Sequence, residues 1–185
     1  MDGRDKPGHD NRGALAAVVI LAALALSACQ STEPKTVKID SAFDPKAAAI
    51  IKAQGTTRID GHAFIKKPSG TPAFAVGEIV RLVPATPYAK ERFDKLFGGK
   101  KFVAATAYPK AEDTDPRYAE FTRTTKSESS GRFSFENVAP GTYYVTTQIV
   151  WQPEENKPHR GGAVYEIVTV TGREDKPIKV ILNGV

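Results

Sequence analysis

From residue 58 onward the chain consists of short runs in which β-branched or aromatic residues alternate with polar ones, and this texture restricts what it can fold into. The runs are RIDGHAFIK (residues 58–66), EIVRLVP (78–84), FTRTTK (121–126), RFSF (132–135), TYYVTTQIVW (142–151), AVYEIVTVT (163–171) and PIKVIL (177–182), with Gly, Pro and Ser between them. A side-chain period of two sends successive residues to opposite faces of a strand, so each run has one apolar face to bury. A lone sheet would leave that face wet, whereas two sheets packed face to face cover it. The pattern predicts a mainly β chain, an antiparallel seven-stranded Greek-key β-sandwich with one or two short helices.

Two helices interrupt the alternation. Asp44-Pro45 has the form of an N-cap followed by Pro at the first helical position, leading into Ala-rich KAAAIIKAQ with Gly55 as the expected stop. Thr86-Pro87 opens a second helix, in which Ala89, Phe93, Leu96 and Phe97 share one face before Gly98-Gly99 ends it, and that face should lie on a sheet. A further strand is expected over residues 102–108. Residues 109–117 form an acidic, proline-bounded loop in which Glu112, Asp113 and Asp115 are candidate oxygen ligands, without the spacing or central glycine of a calcium-binding EF-hand loop.

The N-terminus carries a different signal. Residues 14–26 (ALAAVVILAALAL) are uninterruptedly apolar, but a membrane-spanning helix needs about 20 such residues, so the run fits the core of an export signal. Leu26-Ser27-Ala28-Cys29 follows directly and looks like the lipobox of bacterial lipoproteins, in which the cysteine is acylated and becomes the mature N-terminus. That resemblance implies residues 1–28 as signal peptide and lipid on Cys29. Gln30 in the next position, in place of Asp, resembles the outer-membrane class of a Gram-negative cell. The acidic Asp2, Asp5 and Asp10 depart from the usual signal composition. Residues 29–56 are then expected to be a lipidated N-terminus, a flexible spacer (residues 30–39) and the short helix, with the sandwich over 57–185.

From Ser127 to Val145 the chain reads SESSGRFSFENVAPGTYYV. Ser129-Ser130-Gly131 should form a hairpin turn and Pro140-Gly141 a second turn with positive φ at the glycine. Phe133 and Phe135 share one face, and Tyr143 and Val145 return to the core. The spacing Gly131-x-Phe133-x-Phe135-x-Asn137-Val138-x-Pro140-Gly141-x-Tyr143-x-Val145 resembles the carboxypeptidase regulatory-like domain, a transthyretin-like and broadly immunoglobulin-like sandwich. Ile59-x-Gly61-x-Ala63 and Val80-x-Leu82-x-Pro84 extend the likeness over about residues 58–183. The resemblance implies a binding or scaffolding role and no active site.

Chemistry-bearing residues are sparse. Residues 30–185 hold two histidines, His62 and His159, in no metal-ligand spacing, and Cys29 is the chain's one cysteine, so no catalytic grouping and no cofactor is expected. The C-terminal ILNGV lacks the Tyr-Arg-Gly-Ser tail of transthyretin-like hydroxyisourate hydrolases. Glu136-x-x-Ala139-Pro140 is similar to part of an adhesin module's isopeptide signature, with Lys66 or Lys67 and Asn183 as its would-be partners. The net charge of +5 belongs wholly to residues 29–185, but no Lys/Arg run exceeds two residues, which argues against a nucleic-acid partner. A tethered, non-catalytic envelope module for a protein or glycan partner is expected, with the periplasm or cell surface as its place. The alternative is an enzyme or metal-binding protein on the same sandwich. For a glycan, Tyr144, Trp151, Arg160 and Tyr165 are the candidate contacts, because Tyr143 and Tyr144 must face opposite sides of a strand and one of them should point outward.

Overall fold

Phe133, Phe135, Tyr143 and Val145 are all buried in one core between two sheets, as their alternation requires. The structure, a computed structural model, describes residues 35–112 and 114–185. Cys29, Gln30, the apolar run and Asp113 lie outside the described residues.

Eleven strands are present among the described residues: β1 (Thr36–Lys38), β2 (Gln54–Lys66), β3 (Pro72–Phe74), β4 (Ile79–Pro84), β5 (Phe102–Ala104), β6 (Lys110–Glu112), β7 (Arg123–Lys126), β8 (Arg132–Val138), β9 (Gly141–Trp151), β10 (Arg160–Val170) and β11 (Ile178–Leu182). One sheet has the order β5-β10-β9-β4-β7, all antiparallel. The other is built on β2, which pairs with β11, β3 and β8. The two pack as a sandwich around Ile59, Val80, Leu82, Ile149, Val164 and Leu182, all fully buried.

All seven expected runs are strands, and the differences lie in number and partner. β1, β3 and β6 are three residues each, too short for a period to register in the sequence. Two pairings, β11 with β2 and β1 with β6, are parallel, which alternation alone does not reveal. The expected strand at 102–108 stops at Ala104 and continues as a 3-10 turn, Ala105–Ala107.

The segment around Gly131 is a crossover between sheets. Its turn closes tightly, with Gly131 N–H donating to the Glu128 carbonyl at 2.9 Å and Glu128 N–H to the Arg132 carbonyl at 2.8 Å. Beyond it the strands part, β7 pairing with β4 in one sheet and β8 with β2 in the other. The chain then crosses back into β9. Asn137, at φ 54, carries the left-handed backbone there, a conformation its short polar side chain tolerates, and Gly141 simply begins β9. Tyr143 fixes this corner by donating its phenol to the Ala139 carbonyl at 2.8 Å. Glu136 is exposed and paired with Arg58 at 2.8 Å, so it lacks the buried setting that an isopeptide bond needs.

Both helix starts agree with the sequence. Asp44 accepts from Lys46 N–H at 2.8 Å and opens α1 (Pro45–Ala48), which tightens into a 3-10 turn, Ala49–Lys52. The chain is already extended at Ala53, so Gly55 does not stop a helix. It serves a close approach: a Cβ at Gly55 would lie 1.9 Å from the Val138 carbonyl oxygen, where β2 and β8 change register. The second helix, α2 (Pro87–Phe97), is capped by Thr86, whose hydroxyl accepts from Ala89 N–H at 3.2 Å, and ends on Gly98 at φ 58.

The spacer expected over residues 30–39 is, from Lys35 onward, part of the fold, which removes the expected boundary at residue 56. β1 pairs with β6, and Ile39 and Phe43 are buried with Ala48 and Tyr88 in a small core of their own. The Glu91 carboxylate on α2 accepts from the Asp40 and Ser41 amides at 2.9 and 2.7 Å, while Lys95 donates to the Lys38 carbonyl at 2.6 Å. Apolar anchors separated by polar residues give no periodicity, so the sequence of this strap resembles a linker.

Candidate functional site

Helix α2 lies on the outer face of the five-stranded sheet and covers only part of it. Phe93, Leu96 and Phe97 pack with Val83, Tyr144 and Tyr165 in a second core outside the sandwich. The Phe93 ring stacks on Tyr144 at 4.1 Å and 7°, and it meets Tyr165 at 5.1 Å. Both tyrosines are therefore buried, at 5 % and 7 % exposure. Tyr143 and Tyr144 do face opposite sides of β9, but the helix takes the outward one, so neither reaches solvent.

The other two expected contacts lie elsewhere. Trp151 is half-buried and packs against the inter-sheet core, the face opposite to Tyr144, and Arg160 sits directly across from it on β10. The four residues thus form no common surface. An odd separation along β9 puts Tyr144 and Trp151 on different faces, and the helix hides the side with the tyrosines.

Beside α2 the same outer face opens into a groove of about 730 Å³, within the range of small-molecule sites. Its floor is a cross-strand row. Thr146 on β9 is opposite Arg81 on β4, and Arg81 is opposite Thr124 on β7. Gln148 and Ala163 form the next pair along β9 and β10. One wall is α2, contributing Arg92 and Leu96, and the other is formed by Tyr108, Tyr118 and Thr122.

These walls are held from behind. Tyr108 meets Phe97 edge-on at 5.6 Å, and Tyr118 packs on Tyr88 and Phe43 at 5.4 and 6.1 Å. The guanidinium of Arg92 lies 5.2 Å over the Tyr118 ring and donates to the Thr114 hydroxyl at 3.0 Å. Burial pushes the Tyr108 and Tyr118 phenols up from their ordinary pKa; Arg92 and Arg81 pull the other way without overcoming it, so both phenols stay neutral. Thr146 donates its hydroxyl to the Val164 carbonyl at 2.7 Å, which fixes its rotamer. The groove offers hydroxyls, an amide, two guanidiniums and aromatic rings, and among the described residues no carboxylate lines it.

No such convergence is present around the remaining sequence candidates. His62 bonds through Nε2 to the Ser130 carbonyl at 2.9 Å and stacks on Phe74 at 5.5 Å, on the outer face of the other sheet. His159 is exposed in the loop between β9 and β10. Asp115 binds Arg117 at 2.8 Å and caps a 3-10 turn, while Glu112 lies in β6. Among the described residues no three His, Cys, Asp or Glu side chains are grouped as metal ligands would be.

Arg81, Arg92, Tyr108, Tyr118, Thr124, Thr146 and Gln148 were not singled out by sequence. One signal was available: Tyr144, Thr146 and Gln148 turn polar along a single face of β9 just where an outer surface emerges from beneath a helix.

No protein-family model matches the chain, and no curated protein matches it. Among solved structures, the chain is similar to a protein of Pseudomonas aeruginosa described as a candidate carbohydrate-binding protein. The two share 28 % identity and a TM-score of 0.62, over 77 % of this chain and 98 % of that one.

Proposed function

We propose that this protein is a non-catalytic carbohydrate-binding module and that the groove beside α2 is its binding site. The observation that carries the proposal is the row Thr146-Arg81-Thr124 with Gln148 beside it, walled by Tyr108 and Tyr118. Sugar hydroxyls need paired donors and acceptors at close spacing, and the apolar faces of pyranose rings pack on aromatic rings. The groove supplies both on a rigid sheet, where side-chain positions cost little ordering on binding. The similarity to a candidate carbohydrate-binding protein of Pseudomonas aeruginosa supports the same reading.

The lipobox-like tetrad supports a second element of the proposal, a lipid anchor on Cys29 holding the module at a bacterial envelope membrane, the outer one if Gln30 sorts it. Residues 30–34 alone would then separate the anchor from the strap at Lys35, a reach of roughly 20 Å at most. The module would therefore stay near the membrane surface. The transthyretin-like, carboxypeptidase regulatory-like affinity of the 131–145 segment remains part of this reading and fits a binding role.

Two measurements test the proposal. Oligosaccharides titrated into isotope-labelled full-length protein in detergent should shift the amides of Arg81, Thr124, Thr146 and Gln148 and leave those around His62 and Phe74 unmoved. Shifts confined to the His62 face, or none, would refute the site. Palmitate labelling in cells should mark the wild type and not Cys29→Ser, and equal labelling would refute the anchor.

A further inference from the structure

Building on the groove as a saccharide site, we infer that its ligand is an acidic oligosaccharide, with a uronate carboxylate held between Arg81 and Arg92. The two arginines come from different elements, β4 in the floor and α2 in the wall, and both line the same groove. Among the described residues no Asp or Glu lines it. Elsewhere in the molecule Arg58 and Arg117 are neutralised by carboxylates, at 2.6 Å from Asp60 and 2.8 Å from Asp115. Among the described residues Arg81 forms no ion pair, and Arg92 donates only to the Thr114 hydroxyl.

Two like charges facing one cleft repel each other, and an anion between them relieves that repulsion. A carboxylate suits the position because a planar guanidinium donates two parallel N–H bonds to its two oxygens. The neighbouring Thr124, Thr146 and Gln148 then face the hydroxyls of the same sugar or the next one, and the half-buried Tyr118 ring offers a flat wall. An acidic peptide would satisfy the arginines but would leave the row of hydroxyl and amide groups with few partners.

Calorimetric titration of the full chain in detergent tests the inference. The probes are a galacturonate tetrasaccharide, a glucuronate–N-acetylglucosamine tetrasaccharide, the carboxyl-reduced counterpart of each, and tetraglutamate. At least one uronate should bind ten-fold or more tightly than its reduced counterpart, and Arg81→Gln should abolish that difference. Arg92→Gln, at a helix surface, provides the same test if Arg81→Gln does not fold. Equal binding of acid and reduced forms would overturn the acidic ligand and leave the saccharide site standing. Binding by none of the four saccharides would overturn both. Tetraglutamate binding as tightly as the better uronate would overturn the inference in favour of a merely electrostatic surface.

Discussion

If α2 is the element that turns a bare sheet face into a groove, removing its central ring should cost stability and site together. Phe93 is 5 % exposed and meets Tyr144, Phe97 and Tyr165 at 4.1, 5.6 and 5.1 Å. Truncating a buried Phe to Ala costs about 3–5 kcal/mol, and aromatic pairs contribute about 0.5–1.5 kcal/mol each beyond area. Three such pairs keep Phe93→Ala away from the lower end of that range, at about 4 kcal/mol. With a urea m-value of about 2 kcal/mol/M for a domain of this size, the unfolding midpoint should fall by about 2 M. Phe93→Leu keeps most of the apolar volume and loses the stacking, so its fall should be about a third as large, near 1.5 kcal/mol. The assay is equilibrium urea unfolding followed by circular dichroism, with the slope fitted freely. A midpoint fall with unchanged slope indicates a cavity beneath a docked helix. A lower slope indicates that the helix has left the sheet, and saccharide binding should then vanish as well. A fall of less than about 0.5 M for Phe93→Ala, or equal falls for Ala and Leu, would refute the packing reasoning.

Acid should loosen the loop after β10. Glu174, held down to about 2, accepts from the Thr171 hydroxyl and amide and from the Thr57 hydroxyl. Because its folded pKa lies below the unfolded value of about 4.3, its contribution is present above pH ~4.5 and is lost as pH falls toward 2. Thermal unfolding followed across that window should show a smaller acid-induced fall for Glu174→Gln than for wild type, and parallel curves would count against the contact. Gly55→Ala forces a Cβ against the Val138 carbonyl and should lower Tm by about 4–8 °C, as expected for about 2 kcal/mol of overpacking; an unchanged melt would show that β8 yields freely. Glu91→Ala removes both oxygens that hold the Asp40 and Ser41 amides, so those two should exchange faster with solvent while Thr146 is unaffected. Uniform acceleration, or none, would mean the strap is not held locally.

Local rules that depend only on neighbours in the chain were legible from the start. Thr86-Pro87 and Gly98 bound α2, Asp44-Pro45 opens α1, and alternation assigns Phe133, Phe135, Tyr143 and Val145 to the core, because caps and pleats are set by residues within a turn or two of each other. A sandwich followed from seven strands that each needed one covered face. What alternation cannot carry is which partner covers the other face. Tyr144 and Tyr165 were sound outward residues of their strands, and only the docking of a helix some fifty and seventy residues away in sequence made them core. The same docking left Arg81, Thr124, Thr146 and Gln148 uncovered beside it, on three strands that meet only through non-local pairing. The sequence by itself determined the seven longer strands, both helix starts and the inward faces of those strands, since these depend on local geometry. The tertiary structure decided where the groove lies, because a site assembled from β4, β7, β9 and α2 exists only once contacts distant along the chain bring them together.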